Sequence, residues 1–154
     1  MSIHVPPSSE PAGKTEHRQL RTVLQRAEAA GGRTGAAATQ VMKVLFPHMV
    51  MEEEYAMPPL KLLRQIARGE VKPDMARVIP IAQTLKSELP RMLEDHKQIV
   101  MALRRLMQAA AEEGLDGYAD FATKLISHAQ MEEEIAYPAA ILVGEYLKRH
   151  FEKD

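Results

Sequence analysis

The chain has no cysteine. That single absence excludes disulfides, thiolate metal ligands and cysteine nucleophiles, while leaving the compartment open. Aromatic residues are scarce, at 5% of 154 residues, and no uncharged apolar run approaches the roughly 20 residues that span a bilayer. Residues Met1 to Glu10 lack both a basic region and an apolar core, so a secretory signal is not expected and a soluble, cytoplasmic protein is. Neither charge is in surplus, with 20 Lys and Arg against 21 Asp and Glu. Composition therefore offers no electrostatic footprint for nucleic acid or an anionic membrane, and neither partner is expected. What remains is 45% hydrophobic residues with ten methionines, a balance suited to one helical domain with an aliphatic, Met-rich core.

The strongest pattern is a repeat. His48-Met49-Val50-Met51-Glu52-Glu53-Glu54 returns eighty residues later as His128 to Glu134, and the same offset pairs Met51 with Met131, Ala56 with Ala136, Pro58 with Pro138 and Leu62 with Leu142. Upstream of each copy, His17-Arg-Gln-Leu answers His96-Lys-Gln-Ile. The chain reads as two versions of one helical hairpin, each with a lone His on its first helix and His-x-x-x-Glu on its second.

Residues 1–13, rich in Pro, Ser and Gly and including His4, are expected to form a mobile tail, and residues 14–154 the bundle. Thr15 is placed to cap a first helix that ends at Gly31-Gly32. The second helix is expected from about Thr34 towards Gly69, bent at Pro47 and Pro58-Pro59. Asp74 opens a short connecting helix, and Pro90 suits the first turn of a third long helix that closes at Gly114. A fourth starts near Asp116, with Phe121, Leu125, His128, Glu132 and Ile135 on one side, and bends at Pro138. The expected fold is all-α: an up-down four-helix bundle with a short extra connecting helix between two repeated hairpins.

Residues four apart share a helix face, so His48 with Glu52 and His128 with Glu132 each aim an imidazole and a carboxylate the same way. At about 1.5 Å of rise per residue, depth along the bundle can be estimated as well. His17 lies 15 residues before Gly32 and His48 lies 16 after it, so the two are level. His96 lies 20 before Asp116 and His128 only 12 after it, which agrees to within a turn or two. Packed with matching faces inward, four histidines and two glutamates converge in the core. Imidazole and carboxylate suit iron, manganese or zinc, and six side chains from four helices can hold two ions bridged by the carboxylates, with open positions left for a small ligand. Buried Glu and His without compensation would be unfavourable, and a metal is the simplest compensation. Of the triplets, Glu53, Glu54, Glu133 and Glu134 are expected in solvent or orienting a ligand histidine.

The pattern His17, His48-x-x-x-Glu52, His96, His128-x-x-x-Glu132 resembles the hemerythrin-like, HHE cation-binding family over about residues 15–150. The resemblance implies a non-haem di-iron centre in a four-helix bundle, with His17, His48, His96 and His128 as terminal ligands, Glu52 and Glu132 as bridges, and a small diatomic or peroxide as ligand. It also implies a choice of roles. A binder or sensor of oxygen, nitric oxide, iron or redox state leads; an enzyme turning over peroxide or nitric oxide, or repairing iron centres, comes next. A zinc-bound or metal-free structural bundle is the third reading. Members with a full oxygen site carry a fifth histidine, whereas the others here are His4 and His150, one in the tail and one near the C-terminus. Tyr55, three residues beyond Glu52 and seven beyond His48, is the candidate extra ligand or orienting group, with Ile135 as its counterpart in the second copy.

Overall fold

The computed structural model describes residues 12–152. The expected tail with His4 lies outside them, except that Ala12 and Gly13 already belong to the first helix. Among the described residues the chain is all-α, without strands. Helix α1 spans Ala12–Ala29 and α2 spans Gly32–Met51. A five-residue π-helical turn, Glu52–Ala56, leads into α3 (Met57–Lys61) and α4 (Leu63–Ala67). A 3-10 turn, Pro73–Arg77, opens directly into α5 (Val78–Glu112). Helix α6 spans Asp116–Met131, a second π-turn covers Glu132–Ala136, and α7 spans Tyr137–Glu152. The bundle's four columns are α1, α2 with its continuation, α5, and α6 with α7.

Gly31 and Gly32 make the first reversal with φ of 72° and 62°, a left-handed conformation that a side chain would strain. Helix α5 differs from expectation. The separate connecting helix is reduced to the 3-10 turn, and Pro90 sits inside one 35-residue helix. The reason lies in the apolar stripe, which passes Pro90 without a break. Val78, Ala82, Leu85, Leu89, Met92, His96, Ile99, Leu103, Leu106 and Ala110 recur at alternating steps of four and three, the period of a bundle seam. Ending the helix at Pro90 would put one half of that stripe out of register. Pro90 itself is exposed, so the carbonyl it leaves unpaired faces water.

The core is layered around the histidines that the two hairpins place at the same spacing. Above the histidines, Leu24, Val41, Leu45, Ile99, Leu103, Leu106 and Leu125 pack together; below them, Leu85, Met92, Tyr137 and Ala140 do. A lower cluster of Met75, Val78, Val143 and Leu147 closes the base. The polar slab is thus held between two apolar layers. Helix α5 packs against α2, α6 and α7, and α1 against α2, while α1 and α6 scarcely touch. That seam is where the centre of the bundle is least covered. No helix among the described residues is long and apolar enough to cross a membrane.

Candidate metal centre

The six side chains singled out by spacing lie in the same slab. His17 comes from α1, His48 from the last turn of α2, His96 from α5 and His128 from the last turn of α6. Glu52 and Glu132 open the two π-turns. His17, His48, Glu52, His96 and Glu132 are buried, whereas the His128 side chain keeps 35% of its surface exposed. The Glu52 oxygens lie 3.4 Å from His17 Nε2 and 2.8 Å from His48 Nε2. Those of Glu132 lie 3.6 Å from His96 Nε2 and 3.7 Å from His128 Nε2. Each carboxylate stands between the two histidines of its own hairpin. The second hairpin closes better than counting predicted because its turn centres on Gly114, at φ 72°, rather than on Asp116.

Outer carboxylates set the rings. His17 Nδ1 is 3.1 Å from Glu53, His96 Nδ1 is 3.0 Å from Glu133, and His48 Nδ1 is 3.3 Å from Asp95. A carboxylate at Nδ1 can take the ring proton there and holds Nε2 turned inward, the orientation that a metal-ligating histidine requires. Glu53 and Glu133 thus hold the orienting places that the triplets suggested. Asp95 was not expected from spacing. The signal for it is an acid immediately before the lone histidine in both copies, Glu16-His17 and Asp95-His96.

The buried groups shift one another's protonation. Burial opposes protonation of His17, but its bonds to Glu52 and Glu53 prevail and raise its pKa. Burial, then the neighbouring His48, lowers His96. Burial also opposes ionisation of Glu52, yet bonds from His17 and His48 hold its carboxyl well below the usual range. Glu132 goes the other way, pushed up to about 11 by burial and then by Glu52 beside it. Two buried acids side by side push their pKa values apart in this way. Donor atoms of His48, Glu52 and His96 all lie within 4.8 Å of one another. The donor set and the inward-facing Nε2 atoms fit a metal cation.

The sequence profile of the hemerythrin HHE cation-binding domain matches residues 13–140. The chain belongs to this family. Comparisons with curated proteins and with solved structures give no match.

The phenol of this hemerythrin-type domain is not the expected one. Tyr55 packs against the apolar layer of Ala56, Leu85 and Met92 and makes no hydrogen bond to the six side chains. Tyr137 stands at the centre instead, 1% exposed, and its hydroxyl donates to Glu52 Oε1 at 3.1 Å. It lies 2.9 Å from His48 Nε2 and 3.0 Å from His96 Nε2. The π-turn explains the exchange. In it the backbone N–H of Tyr137 donates to the Glu132 carbonyl five residues back, so the residue above Glu132 is the fifth on and not the third or fourth. Ile135, expected to face inward, is accordingly 62% exposed. The same turn places Met57 above Glu52 in the first copy. A proline follows each turn, at Pro58 and Pro138, and its missing N–H and bulky ring oppose the tighter α-helical bond. Pro at the sixth residue after both glutamates was the readable sign.

Beside the slab, along the α1–α6 seam, opens a crevice of about 140 Å³ lined by His17, Glu52, Met57, His128, Glu132 and Tyr137 among others. It borders His17, Glu52, His128 and Glu132, with His128 the most exposed of them, while His48 and His96 do not line it.

Proposed function

We propose that the chain is a non-haem di-iron protein that binds a small ligand such as oxygen, nitric oxide or peroxide, or senses iron or redox state. The observation that supports this most is the convergence of four imidazoles and two carboxylates, from two copies of one hairpin, beside a crevice that reaches four of the six. His17, His48, His96 and His128 would hold the irons from the sides, and Glu52 and Glu132 would be shared between them. Imidazole and carboxylate without thiolate suit iron, with manganese or zinc as competitors for the same donors. Bound iron would supply redox chemistry and open coordination positions.

The chain's own residues do the rest. Asp95, Glu53 and Glu133 orient the rings, and the apolar layers exclude water from above and below. The crevice limits what enters. Organic ligands of drug size need roughly 300–1,000 Å³, so a space of about 140 Å³ favours a diatomic or peroxide over a larger substrate. A cytoplasmic setting belongs to the same proposal.

Elemental analysis of the purified protein with an aerobic visible spectrum tests the reading. About two irons per chain, with a spectrum altered by nitric oxide or peroxide, supports it. Zinc alone, or no metal, overturns it in favour of a structural bundle. Rapid peroxide or nitric-oxide turnover that His128→Ala and Glu132→Ala abolish would make the protein an enzyme rather than a binder.

A further inference from the structure

We propose that Tyr137 is itself a metal donor, through its phenolic oxygen, at the buried side of the centre. This rests on the metal-binding reading above and adds to it a ligand that the repeated spacing does not contain. Four atoms converge there: His48 Nε2, His96 Nε2, Glu52 Oε1 and Tyr137 Oη. Their separations are 2.8 Å for His48 to Glu52, 2.9 Å for His48 to Tyr137, 3.0 Å for His96 to Tyr137 and 3.1 Å for Tyr137 to Glu52. Nitrogen and oxygen donors on adjacent corners around one ion, each bound at about 2.1 Å, stand about 3.0 Å apart. All four distances match that spacing.

Asp95 and Glu133, each within reach of an Nδ1, leave both Nε2 atoms turned towards the phenol oxygen. A cation among the four takes a lone pair from each. Binding breaks the phenolic O–H bond, forms the oxygen–metal bond and releases the proton to water through the crevice, which Tyr137 itself lines.

The repeat also gives the centre two unequal sides. Tyr137 is replaced by Met57 in the first copy, at the crevice. The phenol thus fills a position on the buried side, and an incoming ligand meets the side of His128 and Met57.

Resonance Raman spectroscopy of the ferric, iron-loaded full chain tests this. The chain has four tyrosines, and the triple variant Y55F/Y118F/Y146F leaves Tyr137 alone. Wild type and triple variant should both show phenolate ring modes enhanced in a visible charge-transfer band, shifting when the tyrosine ring is deuterated. Tyr137→Phe should retain iron and lose the modes completely. Iron-loaded wild type without these modes overturns the inference and leaves the di-iron reading standing, as does their loss in the triple variant or persistence in Tyr137→Phe. A chain that takes up no iron overturns both. If Tyr137→Phe does not fold, the triple variant alone decides.

Discussion

At the scale of single residues, the proposed centre separates into groups that would touch the cation and groups that aim them. The first were legible because chemistry repeats: two His-x-x-x-Glu pairs and two lone histidines allow few other readings. Tyr137 was not legible by α-helical spacing, since it lies five residues beyond Glu132 and only a π-turn puts it overhead. Asp95 was hidden for another reason. It neighbours His96 in sequence but serves His48 on another helix, at 3.3 Å, and no local periodicity encodes a contact across 47 residues. Orienting carboxylates of this kind typically change metal affinity by about 10–100-fold. Asp95→Asn and Glu133→Gln should each weaken iron binding to that extent, read by competition with a chelator, while Glu54→Gln should leave affinity unchanged.

At the scale of elements, turns and stripes decide what the histidines can reach. The four columns followed from apolar periodicity and glycine stops, but Pro90 argued for a boundary that the seam of α5 overrode. Close approach matters at Gly144, where an added Cβ would fall against the Ala82 Cβ, well inside van der Waals contact. Overpacking costs roughly 1–3 kcal/mol, against a gain of about 1 kcal/mol in helix propensity. Gly144→Ala should therefore lower thermal stability modestly, and Gly144→Val more, with iron binding kept.

At the opposite end, Glu113 ties the hairpins together. The N–H and hydroxyl of Thr34, in the first turn of α2, both donate to Glu113 Oε1 at 2.6 Å. These bonds hold the Glu113 carboxyl below its ordinary value of 4.5. Because the folded value is the lower one, this contribution is present above the ordinary carboxylate range and is lost as pH falls through the folded value. The melting temperature of Glu113→Gln should lie below that of the wild type at neutral pH and converge with it in strong acid.

At the scale of the whole molecule, the chain is a repeated hairpin whose two copies differ at the centre. Equal histidines, glutamates and π-turns build a shared slab, while Tyr137 against Met57 makes its two sides different. A centre that ties four columns together should also stabilise the bundle. Free metal at 100 times its dissociation constant adds about 2.7 kcal/mol, which for a chain of this length raises the melting temperature by roughly 5–10 °C. Chelation should reverse the rise, and a melting temperature indifferent to iron would show that the columns do not share the ion.

The central claim is that one slab of the bundle holds two irons, and elemental analysis of the iron-reconstituted, desalted protein tests it most directly. The account predicts about two irons per wild-type chain, and little retained iron in the double variant Glu52→Ala/Glu132→Ala, whose helical circular dichroism should persist. Wild-type protein that emerges free of iron, or a folded double variant that keeps the full complement, would contradict it.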